Sequence, residues 1–137
     1  MGTEWITQLT PIVFTRIKNG ITKKTKETYG LKNKNFSTSE SSKTSPVFPF
    51  VHVKQLQSVE RGKDLEGTSI NGGLFAYQIR VTDNQSEEAV KKITNEIINV
   101  MKKMSFEAVG FPMFESTRDY YESVTRFRRA IDENDIL

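Results

Sequence analysis

Cysteine is absent from this sequence. That excludes a disulfide framework, a thiol nucleophile and a thiolate metal site. Histidine occurs once, at His52, within a stretch that reads as strand, and a structural role is expected for it. A lone histidine without cysteines makes a poor zinc site. A serine–histidine triad would need the same residue, and no serine stands in a nucleophile elbow. Gly62-Lys63 matches a phosphate loop only as a dipeptide. Asp64 and Glu66 sit among glycines, with nothing to desolvate them. Asn35-Phe36-Ser37 and Asn84-Gln85-Ser86 match glycosylation sequons, as chance matches in a chain that shows no export signal. No catalytic, cofactor-binding or metal-binding residue is therefore expected, and an enzyme is disfavoured. No apolar run approaches the ~20 residues that span a bilayer. The N-terminal MGTEWITQL lacks the basic flank and apolar centre of a signal peptide. Gly2 invites myristoylation, but the expectation is an unlipidated chain that stays in the cytoplasm as made.

What the sequence does contain is one strong switch of period. In LFAYQIRVTDNQSEEAVKKITNEIINVMKKM, residues 74–104, Phe75, Tyr77, Ile79 and Val81 alternate with Gln78, Arg80 and Thr82. Period two marks a half-buried strand. After Thr82, Val90, Ile93, Ile97, Met101 and Met104 recur at steps of three and four, the apolar stripe of a helix. Asp83 and Asn84 are candidate caps, with Glu87 placed as in a capping box. A strand feeding a helix that packs back on its own sheet is the centre of a small α+β domain. The length of 137 residues suits one domain spanning 1–137. The net charge of +3 and a pI near 9.1 are too mildly basic to argue a nucleic-acid partner by themselves.

Upstream, Ile6, Leu9, Val13, Ile17 and Ile21 predict helix, with a main segment from Pro11 to about Glu27, a helical lead-in over 3–9 and Gly20 as a weak point in the middle. Residues 16–34 carry seven basic side chains against Glu27 alone. They are either a solvated face or a contact surface for an acidic partner, with Lys23, Lys24 and Lys26 as its candidates. Residues 37–46 form a Ser-rich loop. Strands are expected near 50–56, 74–82, 106–113 and 120–130. Between the first two lies a connection, 57–73, too long for an ordinary hairpin. Its glycines and the stranded Leu65 suggest an arm that contacts another molecule through Lys63, Asp64, Leu65, Glu66, Ile70 and Asn71. The last strand has two mixed faces. Arg126, Arg128 and Arg129 on it suit a subunit interface, or a basic patch for nucleic acid beside Tyr120 and Tyr121; the interface is preferred. An acidic tail, 132–137, follows.

The blocks FPFVHV (48–53), DLEGTSIN (64–71), YQIRVTDN (77–84), FEAVGFPMF (106–114) and SVTRFRRAI (123–131), with this order of elements, resemble the tail completion proteins of long-tailed bacteriophages, also called tail terminators or tail-to-head joining proteins. The resemblance implies a non-enzymatic virion protein at the head–tail junction, made in the host cytoplasm. It implies a ring, commonly six-fold, that ends the tail tube and joins it to the head connector. The expected partners are further copies of the chain, the tail tube protein and the connector or stopper protein. DNA would pass through the ring without sequence recognition, and no membrane is involved. The expected fold is a roughly four-stranded mixed or antiparallel sheet with a long hairpin, covered on one side by two helices. The Ser-rich loop and the basic 16–34 segment match nothing in the family. The alternatives are another connector component (stopper or adaptor) and a small basic nucleic-acid-binding module.

Overall fold

The computed structural model of the chain describes residues 4–38, 47–56, 59–63, 70–132, 135 and 137. It is α+β. Helices α1 (Glu4–Gly20) and α2 (Lys23–Tyr29) come first, then a 3-10 turn (Asn33–Asn35) and strand β1 (Phe36–Ser37). Strands β2 (Phe50–Gln55), β3 (Val59–Lys63) and β4 (Ile70–Asp83) lead into helix α3 (Glu87–Lys103). Strands β5 (Glu107–Ala108), β6 (Met113–Ser116) and β7 (Tyr121–Asp132) follow.

The sheet order is β1-β2-β4-β7-β5. β2 and β3 run one after the other along one side of β4, at residues 77–82 and 70–74. β5 and β6 share the outer side of β7 in the same way. The result is four antiparallel lanes, made mixed by two-residue β1 lying parallel to β2. The stretch 57–73, expected as a loop, is therefore largely the two arms of a hairpin. Gly72 and Gly73 pair with β3 on one side and with β7 on the other. A central strand is held by its backbone on both sides, so it tolerates positions that lack an alternating side-chain pattern. Residues 57, 58 and 64–69 of this stretch lie outside the described residues.

Alternation along β4 and β7 puts one face of the sheet under the helices. Val51, Val53, Tyr77, Ile79, Val81 and Phe127 are among its fully buried side chains. They meet Leu9, Val13, Ile17 and Ile21 of α1 and its end, and Val90, Ile93, Ile97 and Met101 of α3, in one core cluster. The N-terminal helix differs from its sequence-based expectation. It runs straight through Pro11 and stops at Gly20. A proline in a helix interior costs ~3 kcal/mol. Burying the four-residue stripe from Leu9 to Ile21 is worth roughly 6–12 kcal/mol as an upper bound, and that outweighs it. The break at Ile21 has a local cause. The Thr22 side chain accepts a hydrogen bond from Thr25 N–H and caps α2, and Gly30, at φ 68, ends it. Gly20 is not a weak middle but a point of close approach: a Cβ there would stand 2.3 Å from Val100 Cγ2 on α3.

Polar fastenings join the layers. The Glu96 Oε1 atom accepts the Thr22 N–H at 2.9 Å, tying α3 to the start of α2. The Thr94 and Ser123 hydroxyls meet at 2.6 Å, joining α3 to β7. Thr10 joins α1 to the Tyr77 hydroxyl at 3.1 Å and to Gln55 at 2.7 Å. Asn35, fully buried, donates to the Pro49 carbonyl at 2.7 Å and accepts from Lys32 N–H, so its sequon is inaccessible in the fold. The N-cap of α3 is Ser86, which accepts from Ala89 N–H at 3.1 Å, rather than Asp83 or Asn84. Asp83 is buried and accepts the Ser86 N–H at 2.9 Å, one residue outside the helix proper. At its other end α3 closes in a Schellman motif: Phe106 N–H reaches Met101 O and Ser105 N–H reaches Lys102 O, both at 2.9 Å. Ser105 takes the left-handed conformation there, at φ 64.

Candidate interaction surface

The face of the sheet turned away from the helices carries charge in cross-strand rows. Gln78 and Arg126 are directly opposed, and Arg126 Nε donates to Gln78 Oε1 at 3.0 Å. Arg80 reaches Glu122 at 3.2 Å, and Arg128 reaches Glu107 at 3.8 Å. Lys54 extends the Gln78–Arg126 row across β2. Such partly exposed pairs contribute little to stability, ~0–1 kcal/mol each. Their effect is to hold long side chains in a fixed pattern on a sheet surface. Tyr120 lies immediately before β7, exposed, while His52 is buried in β2 and stacks on Phe50 at 6.3 Å between ring centres.

The three arginines grouped by sequence are divided by the alternation of β7. Arg126 and Arg128 are exposed on this face. Arg129 points to the helix side, where its guanidinium donates to Met104 O at 2.8 Å and lies 3.7 Å from Asp135. It fastens the end of α3 to the last strand. Of the expected arm, Asp64, Leu65 and Glu66 lie outside the described residues, while Lys63 belongs to β3 and Ile70 and Asn71 to β4. Lys23 and Lys24 are exposed on α2 and Lys26 is half-buried; Lys23 lies 3.9 Å from Glu27.

Sequence reasoning missed the apolar side chains that the outer edge exposes. Between Ala108 and Met113, four residues stand opposite two of β7, a bulge containing Gly110 at φ 78 and Pro112. The bulge turns side chains outward. Phe111 is 94% exposed, and Val109, Met113 and Phe114 are each about half exposed. Pro112 in the sequence announced an irregular edge, but no pattern there separates an apolar side chain turned outward from one turned in. The space behind the bulge, beside Ile98 of α3 and Phe127 of β7, is about 10 Å³, no more than a water. A larger cleft, about 210 Å³, opens between the C-terminal ends of α1 and α3; Arg16, Asn19, Gly20, Val100, Lys103 and Met104 line it. Among the described residues no group of His, Asp or Glu side chains could hold a metal ion, and no helix is long and apolar enough to cross a membrane. No protein-family model matches the chain, and no curated protein matches its sequence.

Proposed function

We propose that this chain is a structural subunit that joins copies of itself in a ring, and that the ring ends a phage tail tube and joins it to the head connector. The observation that carries the assembly part of this reading is the outer edge, where the bulge and the start of β6 expose four large apolar side chains beside a charge-patterned sheet face. Exposed apolar clusters of this kind, rimmed by polar groups, mark contact surfaces. The virion part rests on the resemblance of the five sequence blocks to tail completion proteins. Within it, the tube and connector proteins are the outside partners, and Arg126 and Arg128 face one of them or the neighbouring subunit.

Light scattering and negative-stain imaging of the purified chain test the first part, with closed rings as the expected result and a monomer as the overturning one. Adding the chain to phage tails assembled without it tests the second: head joining should be restored. Exposed Lys23 and Lys24 support the second reading, a nucleic-acid module. Duplex DNA affinity falling steeply with salt, through Lys23, Lys24 and Lys26, would favour it.

A further inference from the structure

Phe111 is a preformed knob. Gly110 at positive φ makes the turn of the bulge and the ring of Pro112 fixes φ just after Phe111, which limits the backbone ordering that docking must supply. The side chain is 94% exposed, and a phenylalanine offers on the order of 150–250 Å² to a partner. Carboxylates flank it: Glu107, 73% exposed, on one side of the bulge and Glu115, exposed, on the other.

The cleft at the ends of α1 and α3 is its complement. Gly20, Val100 and Met104 give it apolar lining, and Arg16 and Lys103 give it two exposed cations. An apolar cavity of roughly 150 Å³ holds a benzene ring, and this cleft, at about 210 Å³, is larger. Cations at its rim favour an aromatic ring and attract the carboxylates beside it. Knob and cleft belong to different flanks of α3. Ile98 borders the bulge and Val100 lines the cleft, and two residues along a helix are turned by ~200°. A subunit therefore cannot fill its own cleft.

Resting on the ring reading above, we infer that Phe111 of one copy seats in the Arg16–Lys103 cleft of the next, with Glu107 and Glu115 facing the two cations. The contact uses two different surfaces of each subunit. It is the heterologous kind that closes into rings.

The test uses two variants of the full chain, Phe111→Ala, which lacks the knob, and Asn19→Trp, which fills the cleft. Both positions are exposed, so wild-type circular dichroism spectra and melts are expected for each. By light scattering the wild type should be an oligomer and each variant alone a monomer. Mixed one to one, the variants should form a pair that does not grow, because only one knob and one cleft remain. A ring that survives Phe111→Ala overturns this contact and leaves the ring reading standing. A mixture that stays monomeric also overturns it. A monomeric wild type removes both the contact and the ring.

Discussion

Ser105 holds the least comfortable backbone conformation among the described non-glycine residues, at φ 64 in the Schellman turn after α3. Left-handed geometry costs an ordinary residue ~1–2 kcal/mol and glycine almost nothing. Ser105→Gly is expected to raise stability by ~0.5–1 kcal/mol, once the greater freedom of glycine in the unfolded chain is allowed for. The denaturant midpoint reads this directly, and an unchanged or lower midpoint would contradict it. Glu96 ties stability to acid. Burial pushes its carboxyl up, but hydrogen bonds from Thr25 and Thr22 and the charge of Lys92 outweigh that and hold it below its ordinary value of 4.5. A depressed carboxyl contributes stability above its unfolded value, and that contribution is lost as pH falls through the folded one. Wild-type melting temperature should therefore drop as pH falls below about 4.5, and Glu96→Gln should flatten that drop. Equal slopes for the two proteins would show that the Glu96–Thr22 fastening is not the source.

Among elements, the crossing of α1 and α3 is set by Gly20. A methyl group there would lie 2.3 Å from Val100 Cγ2, on a short branched side chain that is stiff at χ1. Gly20→Ala should cost ~1–3 kcal/mol by overpacking. Adding Val100→Ala should recover part of the loss, a coupling that a double-mutant cycle measures. Additive losses would place the strain elsewhere. The same elements show what the sequence made legible. The change of period near Thr82 located β4 and α3, because each has a clean face against the core. The N-cap was harder to place. Asp83, Asn84 and Ser86 are all competent caps, and the choice falls to Ser86 because Asp83 is drawn inward and binds its N–H. The hairpin arms at 59–63 and 70–73 were hidden by glycines whose role is backbone pairing on both sides. Period two does separate Arg126 and Arg128 from Arg129, but only once the core face of β7 is known. The outward turn of Phe111 had no sequence signal, because it follows from a mismatch of four residues against two across strands.

At the scale of the whole molecule, one continuous core cluster joins both long helices to the sheet. Ile97, 1% exposed, lies within it. Ile97→Asp buries an unpaired charge and should unfold the domain in one step, with far- and near-ultraviolet circular dichroism lost together. A melt unchanged from wild type would contradict this core assignment. The order of strands has a further consequence in time. β7 follows the other strands in sequence yet lies inside the sheet, between β4 and the β5–β6 edge. During translation β4 emerges first, and the ribosome adds the 37 residues from Asn84 to Tyr120 before β7 begins to appear, roughly 2–7 s at ~5–20 residues per second. Through that interval β4 has one side unpaired, and the segment carrying Phe111 has no strand to hold it in shape. Phe111 reaches its outward position only when the strand beside it has been made, so on the proposed contact a nascent chain joins no neighbour before its own sheet is whole.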